Sequence, residues 1–317
     1  MEIPAGWPNP IYEFKNNPLT FEKIQLGRQL FYDPLLSADG TISCASCHSP
    51  YSAFAHNDHA LSHGIHDSIG MRNAPSLFNL AWRTTFMLDG AINHLDVQAL
   101  APIHHPGEMG SDLNSLVISL SSSKKYRDSF QRAYGDTSIT GERTLKVIAQ
   151  FLLTLLSNES KYDSVMAGLT DFNEKEANGY RIFKSNCNSC HKEPLFMTNE
   201  FTESGISAAE NSDQGRYTVT GDSSDLNKFQ IPSLRNISYT YPYMHDGRFK
   251  RPQDVINQYS DGDYRESVHD LRLKNIQRLS PDQKIDLLAF LYSLNDRKFI
   301  FNSKHVDPAS YSNLQNR

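Results

Sequence analysis

Two copies of the pentapeptide C-x-x-C-H constrain this chain more than any other feature. They read CASCH at residues 44–48 and CNSCH at residues 187–191, and together they contain all four cysteines of the 317-residue sequence. Every cysteine therefore belongs to one of the two motifs, and none is left over for an unrelated role.

The spacing within each copy is that of a covalent haem attachment site. Two sulfurs at this spacing can bond the two vinyl groups of one porphyrin, and the adjacent histidine then lies beneath the iron as its proximal ligand. Zinc sites also use C-x-x-C pairs but do not require a histidine directly after both, and a thioredoxin-type site needs a βαβ context that is missing here. We therefore predict two c-type haems, one on Cys44, Cys47 and His48 and the other on Cys187, Cys190 and His191.

Each motif follows a segment with apolar residues at helical spacing, Thr20–Asp33 before the first and Asn173–Phe183 before the second. This arrangement indicates one architectural unit used twice. Further amphipathic stretches occupy residues 111–133 and 141–156, and alternating strand patterns are few. We predict a mainly α fold of two cytochrome c-like domains, residues 1–160 and 161–317, with one haem in each.

A last helix is predicted to begin at Ser280, with Pro281 in its first turn and Gln283 completing a capping box. Its apolar residues at helical spacing are expected to face one way; they are Ile285, Leu288, Ala289 and Tyr292.

Composition and charge exclude some classes of function. The formal net charge is −5 and the basic residues are scattered, so a nucleic-acid partner is not expected. The longest apolar stretch, residues 147–156, is too short to span a bilayer. The first residues, MEIPAGWPNP, contain no secretory signal. Because haem c is attached outside the bacterial cytoplasm, in an oxidising compartment, we expect a periplasmic protein whose signal peptide is absent from this sequence.

Longer segments of the chain resemble the bacterial dihaem cytochrome c peroxidase superfamily, which includes MauG-type and MbnH-type enzymes. The resemblance extends from about Leu26 to Leu294. It rests on LGRQLFYDPLLSADGTISCASCH, RNAPSLFNLAW, LDGAINHLDVQALAPIHHPGEMG, FQIPSLRNISYTYPYMHDG and VINQYSDG. It implies an oxidoreductase that reacts with hydrogen peroxide at the N-terminal haem.

The resemblance also implies which residues serve the peroxide site. Gln98 and Glu108 match the distal pair of the family, and Pro102 is expected to line the same pocket. Heterolytic cleavage of the O–O bond needs a proton moved from the inner to the outer oxygen, a task that suits the Glu108 carboxylate. The alternative is that both are solvated helix residues. His63, in a stretch that also contains His56, His59 and His66, is the candidate sixth ligand of the first iron, although a solvated loop histidine is an equal alternative.

The distal ligand of the second iron separates two functions within the family. Counting fourteen residues from His245 gives Tyr259, the MauG-type ligand, whereas the peroxidases have methionine at that place; Met244 is the competing candidate. An anionic phenolate stabilises ferric and higher states, whereas a thioether favours ferrous iron. Tyr259 therefore favours the MauG-type interpretation.

The resemblance implies three further features. A calcium ion between the haems would be bound by Asn73, Thr240 and Pro242, an oxygen-only set that suits Ca²⁺. Arg235 is expected to pair with a haem propionate. Leu88 stands where the family usually has an inter-haem tryptophan, so electron exchange between the haems is expected either to be slower or to use Phe86 or Trp82 instead.

Three functions follow as hypotheses. The first is peroxide-dependent oxidation of a side chain of a partner protein. The second is a cytochrome c peroxidase that takes electrons from a small cytochrome or cupredoxin. The third is a non-catalytic dihaem electron-transfer protein, against which Gln98 and Glu108 argue.

Overall fold

The structure is a computed structural model that describes residues 2–206 and 213–309. The described residues are mainly helical, as the sequence predicted, and their strands form a single antiparallel pair in which Phe201 lies opposite Gln230. The helices are α1 (Phe21–Tyr32), α2 (Cys44–Cys47), α3 (Leu95–Gln98), α4 (Leu100–His104), α5 (Leu113–Ser122), α6 (Lys124–Tyr134), α7 (Gly141–Leu153), α8 (Lys161–Met166), α9 (Glu174–Asn186), α10 (Tyr217–Thr220), α11 (Pro252–Asp261), α12 (Leu271–Lys274), α13 (Pro281–Tyr292) and α14 (Arg297–Ile300), and the strands are β1 (Phe201–Glu203) and β2 (Lys228–Gln230).

The two predicted helices before the haem motifs are present as α1 and α9, and each begins at a side-chain cap. The Thr20 hydroxyl accepts a hydrogen bond from the Lys23 amide, and Asn173 forms a capping box with Glu176. These bonds satisfy amide groups that a helix leaves unpaired at its start. Local sequence therefore sets where both helices begin.

Each of these helices crosses a second helix at a glycine. A Cβ atom on Gly27 of α1 would lie 1.8 Å from the Val147 carbonyl oxygen of α7, and one on Gly179 of α9 would lie 1.9 Å from the Asp286 carbonyl oxygen of α13. Only a residue without a side chain permits such an approach of two backbones. The same crossing occurs once in each half of the chain, which supports the predicted repeat of one architectural unit.

Two hydrophobic cores lie on the two helix crossings. The larger surrounds Phe31, Phe54 and Phe151, and the smaller surrounds Phe183 and Phe290; all five are almost fully buried. Burying one such side chain contributes roughly 1.5–3 kcal/mol. The smaller core lies wholly beyond the predicted boundary after residue 160, whereas the larger core also includes Leu195 and Met197 from beyond it. The boundary itself stays a prediction.

The C-terminal segment does not remain with the second core. Phe299 and Ile300, at the end of α14, are buried in the first core. Arg28 of α1 donates hydrogen bonds to the carbonyl oxygens of Ser303 and Val306, and the Tyr32 hydroxyl donates to that of His305. Residues 299–306, which lie within the predicted second domain, thus complete the first core.

Helix α13 has the predicted capping box between Ser280 and Gln283. The face that carries the predicted apolar residues is not the buried one, however, because Ile285 is 51% exposed and Tyr292 is 40% exposed. The helix instead buries Leu287, Phe290 and Leu291, the residues on the side that α9 approaches through Gly179. Among the described residues, no helix is both long and apolar enough to cross a bilayer.

Candidate haem cavity

One cavity of about 1300 Å³ is lined by residues of both C-x-x-C-H motifs. Pockets for a single small ligand usually measure about 300–1,000 Å³. The cavity is therefore large for one small molecule. Its wall comes from both halves of the chain and includes all four cysteines together with His48 and His191.

Both motif histidines are held as neutral imidazoles by backbone carbonyl groups. Nδ1 of His48 lies 2.8 Å from the Phe54 carbonyl oxygen, and Nδ1 of His191 lies 3.0 Å from that of Pro232. Because a carbonyl oxygen can only accept, Nδ1 carries the proton in each ring and Nε2 keeps its lone pair. Burial lowers the pKa of each histidine to about 4. Each ring is thus prepared to bind a metal through Nε2.

No disulfide bond joins the four cysteines, all of which lie within the described residues. Burial raises the pKa of Cys44 and of Cys187 to about 12, so both remain protonated at neutral pH. Within residues 2–206 and 213–309, no three His, Cys, Asp or Glu side chains converge as a metal site would require. This arrangement fits thiols that add to vinyl groups and does not fit a zinc site built from the same motifs.

The predicted peroxide-site residues lie together on the cavity wall. Gln98 is the last residue of α3, Pro102 lies in α4, and Glu108 follows in the next turn; all three line the cavity. A Glu108 carboxylate oxygen lies 3.8 Å from Nδ1 of His105. Burial raises the pKa of Glu108, and His105 partly opposes that rise. A carboxyl group with a raised pKa holds and releases protons nearer to neutral pH, as a proton shuttle requires.

Of the four histidines between residues 56 and 66, only His63 lines the cavity. Its Nδ1 lies 2.5 Å from a carboxylate oxygen of Asp67, and its carbonyl oxygen lies 3.8 Å from the sulfur of Cys47. The contact with Asp67 orients the ring, and the contact with Cys47 places it next to the first attachment motif. Ligation of the first iron by His63 stays a prediction.

Both candidate ligands of the second iron, Tyr259 and Met244, line the cavity, but they lie against different parts of the chain. Tyr259, in α11, packs its ring at 90° to that of Tyr264, with 5.9 Å between the ring centres. Burial raises its pKa, and charge on Cys190 and Cys187 would raise it further. Among the described residues the Tyr259 hydroxyl makes no hydrogen bond with a protein group. Since Cys190 and Cys187 act on its hydroxyl and line the same cavity, Tyr259 lies next to the second attachment motif.

Met244 begins a turn that contacts the first half of the chain. The carbonyl oxygen of the next residue, His245, accepts a hydrogen bond of 2.7 Å from the Asn73 amide. A Cβ atom on Gly247, at the end of the turn, would lie 2.6 Å from the Ala60 carbonyl oxygen. The turn is thus tied to the region between the two motifs rather than to the second motif alone.

The three residues predicted for calcium, Asn73, Thr240 and Pro242, all line the cavity. The Asn73 side-chain nitrogen donates to the Ala60 carbonyl oxygen at 2.9 Å. That bond fixes the amide so that its oxygen remains as an acceptor, which is the atom a calcium ion would bind. Calcium binding stays a prediction.

The propionate role predicted for Arg235 does not agree with the structure. Arg235 is 0% exposed and is absent from the cavity wall. Its guanidinium donates to both carboxylate oxygens of Asp163, at 2.8 and 2.6 Å, and to the Pro194 carbonyl oxygen. The charge is therefore neutralised inside the protein, and the group is turned away from any porphyrin.

The residues near the position of the family's inter-haem tryptophan differ in whether they line the cavity. Phe86 and Leu88 line the cavity, whereas Trp82 does not. Trp82 is buried, packs against Trp7 and donates from its indole nitrogen to the Pro8 carbonyl oxygen. Of the two residues proposed to replace the tryptophan, only Phe86 is in a position to do so. Sequence reasoning overlooked Arg83, which lines the cavity as well.

Comparisons with known proteins agree with these features. The family model described as di-haem cytochrome c peroxidase matches residues 21–171. The methylamine utilization protein MauG of Methylophilus methylotrophus is 35% identical over 302 residues, which is 92% of this chain and 87% of that protein. The chain belongs to the di-haem cytochrome c peroxidase family. Members of the di-haem cytochrome c peroxidase family are haem oxidoreductases that act on peroxide, and this chain is accordingly such an enzyme with haem c as its cofactor.

Other members of the di-haem cytochrome c peroxidase family are about equally similar. The cytochrome c551 peroxidase of Nitrosomonas europaea is 36% identical over 298 residues, covering 92% of this chain and 86% of that protein. The crystal structure of a MauG-like protein associated with microbial copper homeostasis superposes with a TM-score of 0.86 at 31% identity, covering 97% of this chain and 99% of that one. Similarity alone therefore does not separate a MauG-type enzyme from a peroxidase.

Proposed function

We propose that this enzyme uses hydrogen peroxide to oxidise a side chain of a partner protein, as MauG-type members of the family do. Two electrons and two protons leave the side chain, and the peroxide takes them up to form two water molecules. The observation that carries the proposal is the place of Tyr259, beside Cys187 and Cys190, with its hydroxyl free of hydrogen bonds to the described protein groups.

A phenolate at this place would suit the sharing of oxidising equivalents. Burial disfavours the charged form of Tyr259, so its hydroxyl stays protonated unless a cation binds beside it. A ferric iron provides such a cation and reverses the effect of burial. An anionic donor stabilises the higher oxidation states of iron, whereas a methionine ligand raises the potential and favours uptake of electrons from a small protein.

The chain's own residues supply the proton transfers and the positioning. When bound, the first haem supplies the iron at which peroxide is cleaved. Glu108 takes the proton from the inner peroxide oxygen and returns it to the outer oxygen, and its raised pKa suits both transfers. The Gln98 amide is available to donate a hydrogen bond at the same wall, and the Phe54 carbonyl oxygen holds the ring of His48 in place.

Two further assignments belong to this proposal. Calcium would bind at Asn73, Thr240 and Pro242, where an amide oxygen and two backbone carbonyl groups meet the preference of Ca²⁺ for neutral and anionic oxygen. The enzyme would act in the periplasm, because covalent attachment of haem takes place outside the bacterial cytoplasm.

The second candidate function is that of a cytochrome c peroxidase with a small redox protein as its electron donor. The similarity to the cytochrome c551 peroxidase of Nitrosomonas europaea favours it, and Met244 would then be the ligand of the second iron. The third hypothesis, electron transfer without turnover, is not retained, since the family acts on peroxide.

Matched variants of the two candidate ligands test the proposal. We expect Tyr259→Phe to keep both haems, to change the ferric absorption and electron paramagnetic resonance spectra, and to raise the potential of the second haem, because an anionic donor is lost. Met244→Leu should leave the two spectra and the potential of the second haem unchanged. The opposite pattern, with an unaltered Tyr259→Phe and an altered Met244→Leu, would assign the thioether as ligand and favour the peroxidase.

A further inference from the structure

Three arginines among the described residues line the haem cavity, and they differ in their partners. Arg72 pairs with Asp89 and Asp213, and Arg272 pairs with Asp270 and Glu200. Arg83 has no carboxylate partner in the part of the chain that the structure describes. Its guanidinium donates only to the carbonyl oxygens of Thr198, at 2.8 Å, and Ile231, at 2.9 Å.

An arginine in this position carries a charge that its protein neighbours do not neutralise. Burial lowers the pKa of Arg83 to about 10, and no nearby acid raises it again. The two carbonyl groups satisfy two of the five N–H donors of a guanidinium, and three remain. Buried charges in native proteins are paired, because an unpaired one is costly. The partner of Arg83 must therefore come from whatever fills the cavity.

The backbone contacts of Arg83 show which haem is concerned. The Ile231 carbonyl oxygen accepts from Arg83, and the carbonyl oxygen of the next residue, Pro232, accepts from Nδ1 of His191. Consecutive carbonyl groups thus hold the guanidinium and the second proximal imidazole. Because these two carbonyl groups belong to adjacent residues, the Arg83 guanidinium and the His191 ring lie close together.

The loop that carries Arg83 is fixed to the second half of the chain on both sides. The Asn199 side-chain nitrogen donates to the Trp82 carbonyl oxygen at 3.0 Å, and its oxygen accepts from the Thr84 amide at 3.2 Å. The residues before and after Arg83 are therefore bound to one asparagine. The fold itself therefore fixes the backbone from which the guanidinium extends.

We propose that Arg83 binds a propionate of the second haem and raises the potential of that haem. The two propionates are the anionic groups of the porphyrin, and a guanidinium can bind one of them through two parallel N–H groups. A fixed positive charge beside the porphyrin favours the reduced, less positive iron. Arg83 thereby takes the role that the sequence suggested for Arg235. The inference holds whether the electrons come from a partner side chain or from a small redox protein.

Redox titration of the holoenzyme, followed by the absorption of each haem, tests this role. Arg83→Gln removes the charge and should lower the equilibrium constant for reduction of the second haem at least tenfold. For one electron, this change lowers the reduction potential by about 59 mV. Arg83→Lys keeps the charge and should restore most of the potential. Arg181 is an exposed residue of α9 outside the cavity wall. The control variant Arg181→Gln removes the same charge from the surface and should not shift the potential of the second haem.

Two results would overturn the inference. One is a potential in Arg83→Gln that matches that of Arg181→Gln. The other is an equal shift in Arg83→Gln and Arg83→Lys, since loss of packing rather than of charge would then be the cause. If Arg83→Gln does not retain its second haem, the inference is tested instead in Arg83→Lys, by the resonance Raman band of propionate bending. That band should shift, because an ammonium cannot reproduce the paired N–H groups, and an unshifted band contradicts the assignment.

Discussion

The crossing of α9 and α13 provides a stability test of the second hydrophobic core. In Gly179→Ala, the new Cβ would lie 1.9 Å from the Asp286 carbonyl oxygen, 2.6 Å from its carbon and 2.8 Å from the Cβ of Phe290. Ordinary contact begins near 3.4 Å, so the shortfall at the oxygen is about 1.5 Å. A backbone carbonyl cannot rotate out of the way as a side chain can. The two helices would have to separate.

Two opposing effects set the size of the loss. Alanine is the better helix former by about 1 kcal/mol, which favours the variant. Forcing extra volume into a closely packed interface costs typically about 1–3 kcal/mol and occasionally more. Because the obstacle is backbone, we take the upper end of that range and expect a net loss of about 2 kcal/mol. For a domain of this size, that loss corresponds to a melting temperature lower by about 4–8 °C.

Thermal unfolding of the holoenzyme, followed by haem absorption, measures this effect. Asn178→Ala, one residue earlier in α9, is the matched control, since it makes a favourable helix substitution without a backbone obstacle. We expect it to equal or slightly exceed the parent in stability. A Gly179→Ala enzyme as stable as Asn178→Ala would show that the helices do not approach each other as closely as described.

Two further perturbations test the peroxide site and the buried ion pair. Glu108→Gln should keep both haems but react with peroxide about 10²–10⁴ times more slowly in stopped-flow mixing, and a native rate would remove Glu108 from the mechanism. Asp163→Asn leaves the fully buried Arg235 without its acid and should cost about 3–5 kcal/mol in urea unfolding. Although burial raises the pKa of Asp163, the hydrogen bonds and charge of Arg235 lower it overall. The stabilisation is therefore present above the unfolded pKa of about 3.9 and is lost as the pH falls through the lower folded value. The difference between parent and Asp163→Asn should accordingly shrink below about pH 4, and a constant difference would contradict the pairing.

The features that sequence predicted correctly are set by neighbours along the chain. A C-x-x-C-H pentapeptide contains both thiols and the iron ligand of its haem, and a capping box such as that of Ser280 and Gln283 closes within three residues. The residues predicted for the peroxide site span only residues 98–108, so one short segment brings them to the same cavity wall, and their role there stays a prediction. Local order was sufficient in each of these cases.

The features that sequence missed depend on contacts between distant residues. Arg235 finds Asp163 72 positions away, and Arg83 finds the Ile231 carbonyl oxygen 148 positions away. Nothing in the residue types distinguishes the arginine that is neutralised inside the protein from the one that is left facing the cavity. The buried face of α13 likewise depends on where Gly179 lets α9 approach, which periodicity within α13 does not contain.

The return of the last helical turn to the first core has a consequence for how the protein is made. Phe299 and Ile300 are synthesised long after most residues of the first core, so that core stays incomplete until the C-terminal part of the chain has been made. A fragment that ends at residue 160 would lack these side chains, together with the carbonyl groups that bind Arg28 and Tyr32. Residues 299–306 therefore complete the packing and hydrogen bonding of the first core, and the N-terminal half is expected to be less stable without them.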